Sequence, residues 1–176
     1  MKKNFGFTSF EFYFVISVIG VITLIAIQRY SALAEETRRT RFEIIAGNFS
    51  AVIYNHHARW IIAQQNQHDL PSLVIDDLDI QFSPNGWPVA VLANKNIVSE
   101  ISITSCLSLW QHFLQNAPLI SFDGGDAYGT QNYHLSMPDA QTCRYEFVQS
   151  ESNPLYVDYT PASGKFVFHK LPLIPK

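Results

Sequence analysis

Between residues 7 and 27 the chain reads FTSFEFYFVISVIGVITLIAI, a run of apolar and small side chains broken by one carboxylate, Glu11. As a helix rising ~1.5 Å per residue, these about 21 residues span roughly 31 Å, enough to cross a hydrocarbon core. Nothing else in the sequence restricts the fold as strongly. Lys2 and Lys3 precede the run, so the positive-inside rule leaves the N-terminus cytoplasmic and everything after Tyr30 on the far side. Glu11 is the anomaly. A carboxylate costs roughly 2.5–3.5 kcal/mol at a bilayer centre on insertion scales, and less near an interface.

The helical pattern continues past the apolar run. Residues 32–63 contain no proline and a single glycine, Gly47. Apolar side chains recur at Phe42, Ile45, Phe49, Val52, Ile53 and Trp60, in steps that mark one face of an amphipathic helix. Glu35 can pair with Arg39 one turn on. A helix from Phe7 to about Gln64 would be nearly 90 Å long at ~1.5 Å per residue, too long for a domain of this size to bury. Half of it must sit in lipid or against other subunits.

After Gln65 the texture changes. Residues 66–73 read as a loop, 78–82 as a strand edge, and the PNGWP cluster at 84–88 as a turn. Residues 89–93 read as a short strand. Residues 104–116 have helical periodicity through Leu107, Trp110, Phe113 and Leu114, with Pro118 as the stop. Residues 121–131, rich in Gly and Asp, read as a loop. Segments 132–137, 143–149, 155–159 and 165–169 alternate like strands, and short turns between them predict an antiparallel sheet. The fold class is α+β: a long N-terminal helix, its first half transmembrane, packed against a C-terminal antiparallel sheet.

Composition excludes one class of partner. The chain carries 12 Lys and Arg against 15 Asp and Glu, a formal charge of −3. Without Lys2 and Lys3 the balance is 10 against 15, or −5. No basic stripe is present to neutralise phosphates, so no nucleic-acid partner is expected.

Gly6-Phe7-Thr8-Ser9-Phe10-Glu11, followed by an unbroken apolar helix, resembles the class III signal of type IV pilins and type II secretion pseudopilins. The short basic leader MKKNFG is similar to that of the type IVa branch, and Tyr30 also matches the pattern. The segments CLSLWQHFLQNAP and CRYEFVQSESNPLYVDYTPASGKFVF resemble proteins of the mannose-sensitive haemagglutinin pilus system. The resemblance implies that a prepilin peptidase cuts after Gly6 and N-methylates Phe7, and that Glu11 sets helix register during assembly. It implies a leader at 1–6, a transmembrane and filament-core half at 7–29, an amphipathic half at 30–64 and a globular head at 65–176. It further implies a minor pilin, held in the inner membrane with its head periplasmic and then carried into an extracellular pilus. The partners would be the prepilin peptidase, other major and minor pilins and the inner-membrane assembly platform. Two positions depart from the family. Gln28 stands where many members have a proline, and keeps its N–H donor so that the helix can continue. Ser9 and Phe10 stand where Leu and Ile are common. The alternatives are a pseudopilin of a secretion system and, in another class, a soluble periplasmic binding module released at the Ala32-Leu33-Ala34 site.

The two cysteines, Cys106 and Cys143, pair as one disulfide if the domain is exported, closing a loop of about 37 residues; two buried thiols are the alternative. No catalytic motif is present and no cofactor or metal is expected. His56 and His57 are adjacent on a helix and point about 100° apart, a poor chelate. His68 and Asp69 lie in a loop. Asp123 and Asp126 flank Gly124-Gly125 and offer oxygen ligands for Ca²⁺, against a plain turn. Arg38, Arg39 and Arg41 read as a solvated face or as contacts to acidic patches. Trp60, Trp87 and Trp110 read as core or rim, with Trp87 a candidate for exposure in its turn.

Overall fold

The computed structural model describes residues 9–65, 70–92, 97–125, 131–148 and 155–170. It is α+β and consists of two compact units, divided between Arg41 and Phe42. A helix, α1 (Ser9–Gln64), carries residues of both. It ends at Gln64 as the periodicity predicts, and it remains helical through Gln28.

In the first unit the Ser9–Ile27 part of α1 is apolar and uncovered. Ser9–Ile27 has a mean hydropathy of 2.4 and is long and apolar enough to cross a membrane by length and composition. The hydroxyls of the helix are satisfied locally. Thr23 Oγ1 donates to Ile19 O at 2.7 Å, and Thr37 Oγ1 to Leu33 O at 2.8 Å. Such back-bonding removes the cost of placing a hydroxyl in an apolar medium.

The second unit is built on the other end of α1. Phe42, Ala46, Phe49, Ile53 and Trp60 are buried on one face, at the helical spacing. Eight strands and a second helix close over them. Strands β1 (Ser72–Ile75), β2 (Leu78–Phe82) and β3 (Pro88–Leu92) form an antiparallel sheet in that order. Helix α2 (Ile103–Phe113) follows, with Ser102 as N-cap accepting from Ser105 N at 3.3 Å. Strands β4 (Ile120–Phe122), β5 (Tyr133–Asp139), β6 (Thr142–Phe147), β7 (Leu155–Thr160) and β8 (Lys165–Lys170) form the second sheet, also in chain order.

The core is aromatic. Phe42 meets Tyr133, Phe147 and Phe168, with ring centroids about 6 Å apart. About two turns further along, Phe49 meets Tyr145 edge-on at 5.1 Å and also Trp110, Phe113 and Phe166. Trp110 of α2 stacks on Tyr145 at 5.1 Å. Three of the buried polar tips donate to backbone carbonyls. Tyr145 Oη donates to Cys106 O, Tyr159 Oη to Pro88 O and Trp110 Nε1 to Pro118 O. Burial pushes both tyrosines above the ordinary phenol range, so they stay neutral donors. The Tyr159 bond ties the second sheet to the first.

Three expectations are corrected. Residues 72 and 73, read as loop, belong to β1. Its hairpin turn is Asp76-Asp77, both with positive φ (49° and 66°). Aspartate tolerates that conformation, but without Gly or Asn the pair carries a weak turn signal. Residues 121 and 122, also read as loop, belong to β4, and β4 pairs parallel to β5. The second sheet is therefore mixed, and only its other ladders are antiparallel. Finally, α2 stops before Pro118, at Leu114, and Asn116 reverses the chain with φ 57°.

Cys106 and Cys143 form a disulfide, and both are fully buried. It fastens the first turn of α2 to β6. A cross-link spanning 37 residues removes unfolded-state entropy worth roughly 4 kcal/mol in the chain-entropy model. Replacing both cysteines by alanine should lower the unfolding free energy by about that amount, read as a lower urea midpoint with an enlarged m-value from the less compact unfolded chain.

Candidate functional site

Glu11 lies in the first described turn of α1. Every residue from 9 to 27 is exposed, Phe10 to 80% and Tyr13 to 70%. This apolar surface is stable only in lipid or against other apolar helices. The segment can insert, and it can pack side by side with like segments; Glu11 is the polar marker along it. Gly6 and Phe7, the residues of the expected processing site, lie outside the described residues, as do His68, Asp69 and Asp126.

The PNGWP turn between β2 and β3 holds a second constellation. Ser83 N donates to Trp87 O at 2.8 Å and Trp87 N to Ser83 Oγ at 3.1 Å, which closes the turn. His57 of α1 donates from Nδ1 to Gly86 O at 2.8 Å, a carbonyl that fixes the ring proton on that nitrogen. The same ring stacks on Trp87 at 3.7 Å, nearly parallel. Gly164, in the turn between β7 and β8, lies against the Trp87 indole. Asn85 Nδ2 donates to Ala162 O of that turn at 2.8 Å. Trp87 is thus half-buried and enclosed by His57, Tyr54 and Gly164, a clamp between α1 and two turns rather than an open platform.

A third group was not legible beforehand. Ser121 Oγ lies 2.9 Å from His134 Nδ1, and His134 Nε2 lies 3.0 Å from Asp123 Oδ1. The residue types are those of a nucleophilic triad, but the access is not. Ser121 is fully buried and its hydroxyl also donates to Tyr133 O at 3.1 Å. The trio fastens β4 to β5. Its signal was hidden because Ser121 and His134 meet only through the parallel register.

Asp123 therefore serves His134, and no cluster of three or more His, Cys, Asp or Glu side chains able to hold a metal occurs among the described residues. His56 is buried, in edge contact with Phe113, while His57 serves the Trp87 clamp. Arg38 and Arg41 are exposed. Trp60 and Trp110 are core residues, as expected. No family model, curated protein or solved structure matches the chain.

The clamp makes an opposed pair of outcomes measurable. Gly164 has φ +69°, and a Cβ there would lie 2.0 Å from the Trp87 ring. Gly164→Ala should cost roughly 2–4 kcal/mol, combining left-handed strain with overpacking. Gly47, helical with nothing within 4 Å of an added Cβ, should respond oppositely: Gly47→Ala should stabilise by about 0.5–1 kcal/mol. Urea unfolding of the two variants checks both signs.

Proposed function

We propose that this chain is a minor pilin of a type IV pilus, a structural subunit without catalysis of its own. The observation that carries the reading is a single carboxylate, Glu11, near the start of an otherwise uncharged helical segment, Ser9–Ile27, whose side chains receive no burial within the chain. It stands five residues after Gly6, where the resemblance to class III signals puts the processing site. Cleavage there would free a cationic amine on Phe7. The Glu11 carboxylate of an entering subunit pairs with the amine of its neighbour, and only one axial offset satisfies the pair. At 4 Å and an effective dielectric of about 20, such a pairing is worth roughly 4 kcal/mol, against about 1 kcal/mol in water. A lone polar group fixes register in a coiled coil by the same logic.

The α+β head with its disulfide supports this reading, as does the helical state of α1 across Ala32, Leu33 and Ala34. Signal-peptidase release after Ala34 would cut a continuous helix. In the proposed cycle the prepilin peptidase processes the chain in the inner membrane, with the head periplasmic. The assembly platform then carries it into a filament beside other major and minor pilins.

The N-terminal peptide of protein taken from its native membrane should begin at Phe7 and carry one added methyl group, read by mass spectrometry. A start at Glu35 would overturn the filament reading in favour of a released soluble module. Glu11→Ala should leave membrane insertion intact and abolish incorporation into pili. Unchanged incorporation would remove the register role, and incorporation only into a secretion pseudopilus would move the chain to that sister class.

A further inference from the structure

His56 is a polar side chain placed where the core has no use for polarity. It lies on the buried side of α1, between Ile53 and Trp60, and its ring meets Phe113 edge-on at 4.5 Å. Its Nδ1 is buried and has no hydrogen-bond partner among the described residues. A Leu or Phe would fill the position without leaving a buried nitrogen unbonded. The contact is at the C-terminal end of α2, since Phe113 is the last residue of that helix and also packs on Phe49. The other end of α2 is covalently anchored by Cys106. The helix is thus tethered covalently at one end and held at the other by packing, with Phe113 against both Phe49 and His56 and Trp110 against Phe49 and Tyr145.

We propose that His56 is an acid-sensitive latch, whose protonation releases the C-terminal turn of α2 from α1 while the disulfide keeps the first turn in place. The charged groups acting on the ring are Arg59, one turn along α1, and Asp76 of the β1–β2 turn, which pair with each other at 3.2 Å. The neighbouring His57 is committed to Gly86 O, and His112 of α2 is exposed and bonded to Ser108 O. A charge on His56 is therefore only partly offset: the one carboxylate acting on the ring, Asp76, already pairs with Arg59, and the ring contact from α2 is the apolar Phe113. Burial lowers the His56 pKa below its ordinary value of 6.5, Arg59 lowers it further, and Asp76 opposes them. A histidine with a depressed folded pKa binds fewer protons folded than unfolded. Its contribution to stability is complete above about 6.5 and is lost as pH falls from there towards the folded value. Release would uncover the apolar face of α1 around Phe49, so the device converts acidity into exposed core surface. This inference does not depend on the pilin reading.

The test uses the full chain in detergent micelles between pH 5 and 7.5. Below pH 6.5 the unfolding equilibrium constant should rise by up to tenfold per pH unit, and His56→Phe should remove that component. An NMR titration of the wild-type protein decides independently of whether the variant folds. The His56 ring resonances and the Trp110 indole N–H signal should shift with one shared midpoint. A variant that keeps the wild-type acid dependence would overturn the proposal. So would a His56 ring that titrates while Trp110 and Phe113 stay unmoved.

Discussion

The second unit hangs on one apolar stripe of α1. Phe42, Ala46, Phe49, Ile53 and Trp60 are the residues around which the aromatic layers of the sheets and α2 are arranged. Burying one such side chain contributes about 1.5–3 kcal/mol, but position matters more here than sum. Phe42 gathers β5, β6 and β8; Phe49 gathers α2, β6 and β8. Segments distant in sequence are neighbours because the helix offers each a ring at a fixed spacing. Removing Phe49 would leave Trp110, Tyr145 and Phe166 facing a cavity that none of them could fill without moving.

Polar groups then turn this packing into one arrangement rather than several. Two buried tyrosines donate to backbone carbonyls of α2 and β3, contacts that neighbouring registers would leave unsatisfied. On the outer side of the second sheet, Arg144 binds Asp158 through two 2.8 Å bonds and lies over the Tyr156 ring. That bidentate pair lies between adjacent strands, β6 and β7, and is satisfied only in the observed register. The clamp at Trp87 fixes the two turns relative to α1 in the same way. It uses a ring stack, a carbonyl and a glycine where a side chain would collide.

How much of this was legible depends on the range of the information. The helix through Gln64, and strands β2, β3 and β5 to β8 within a residue or two, follow from local periodicity. So does α2, whose Leu109, Trp110 and Phe113 share a buried face. What escaped is non-local. β1 is visible only through a turn that two aspartates form against their usual preference, stabilised on one side by Arg59 reaching Asp76. β4 is three residues long and exists because Ser121 and His134 complete a buried bond across a parallel pair. His57 reads in the sequence only as a poor chelate beside His56, because its partner, Gly86, is 29 residues away. The disulfide was the exception: two cysteines and an export-type segment sufficed to infer it.

Ser9–Ile27 is long and apolar enough to cross a membrane, and its charged side chains are distributed differently from those of the second unit. In the second unit two arginines are paired with carboxylates, Arg59 with Asp76 and Arg144 with Asp158. Along Ser9–Ile27 the single charged type is Glu11, in a segment with nothing of its own buried. A carboxylate in hydrocarbon opposes insertion, and on the proposed reading a cation of a neighbouring subunit compensates that cost at one axial offset, because a charge-assisted hydrogen bond forms only at close contact. An apolar helix surface alone cannot do this, since sliding one such helix past another exchanges equivalent contacts. If the chain assembles as proposed, the cost of Glu11 to the single subunit and its value to the assembly are one property. On the proposed reading, the free subunit is kept poised in the membrane, and its most stable state is reached only in the filament.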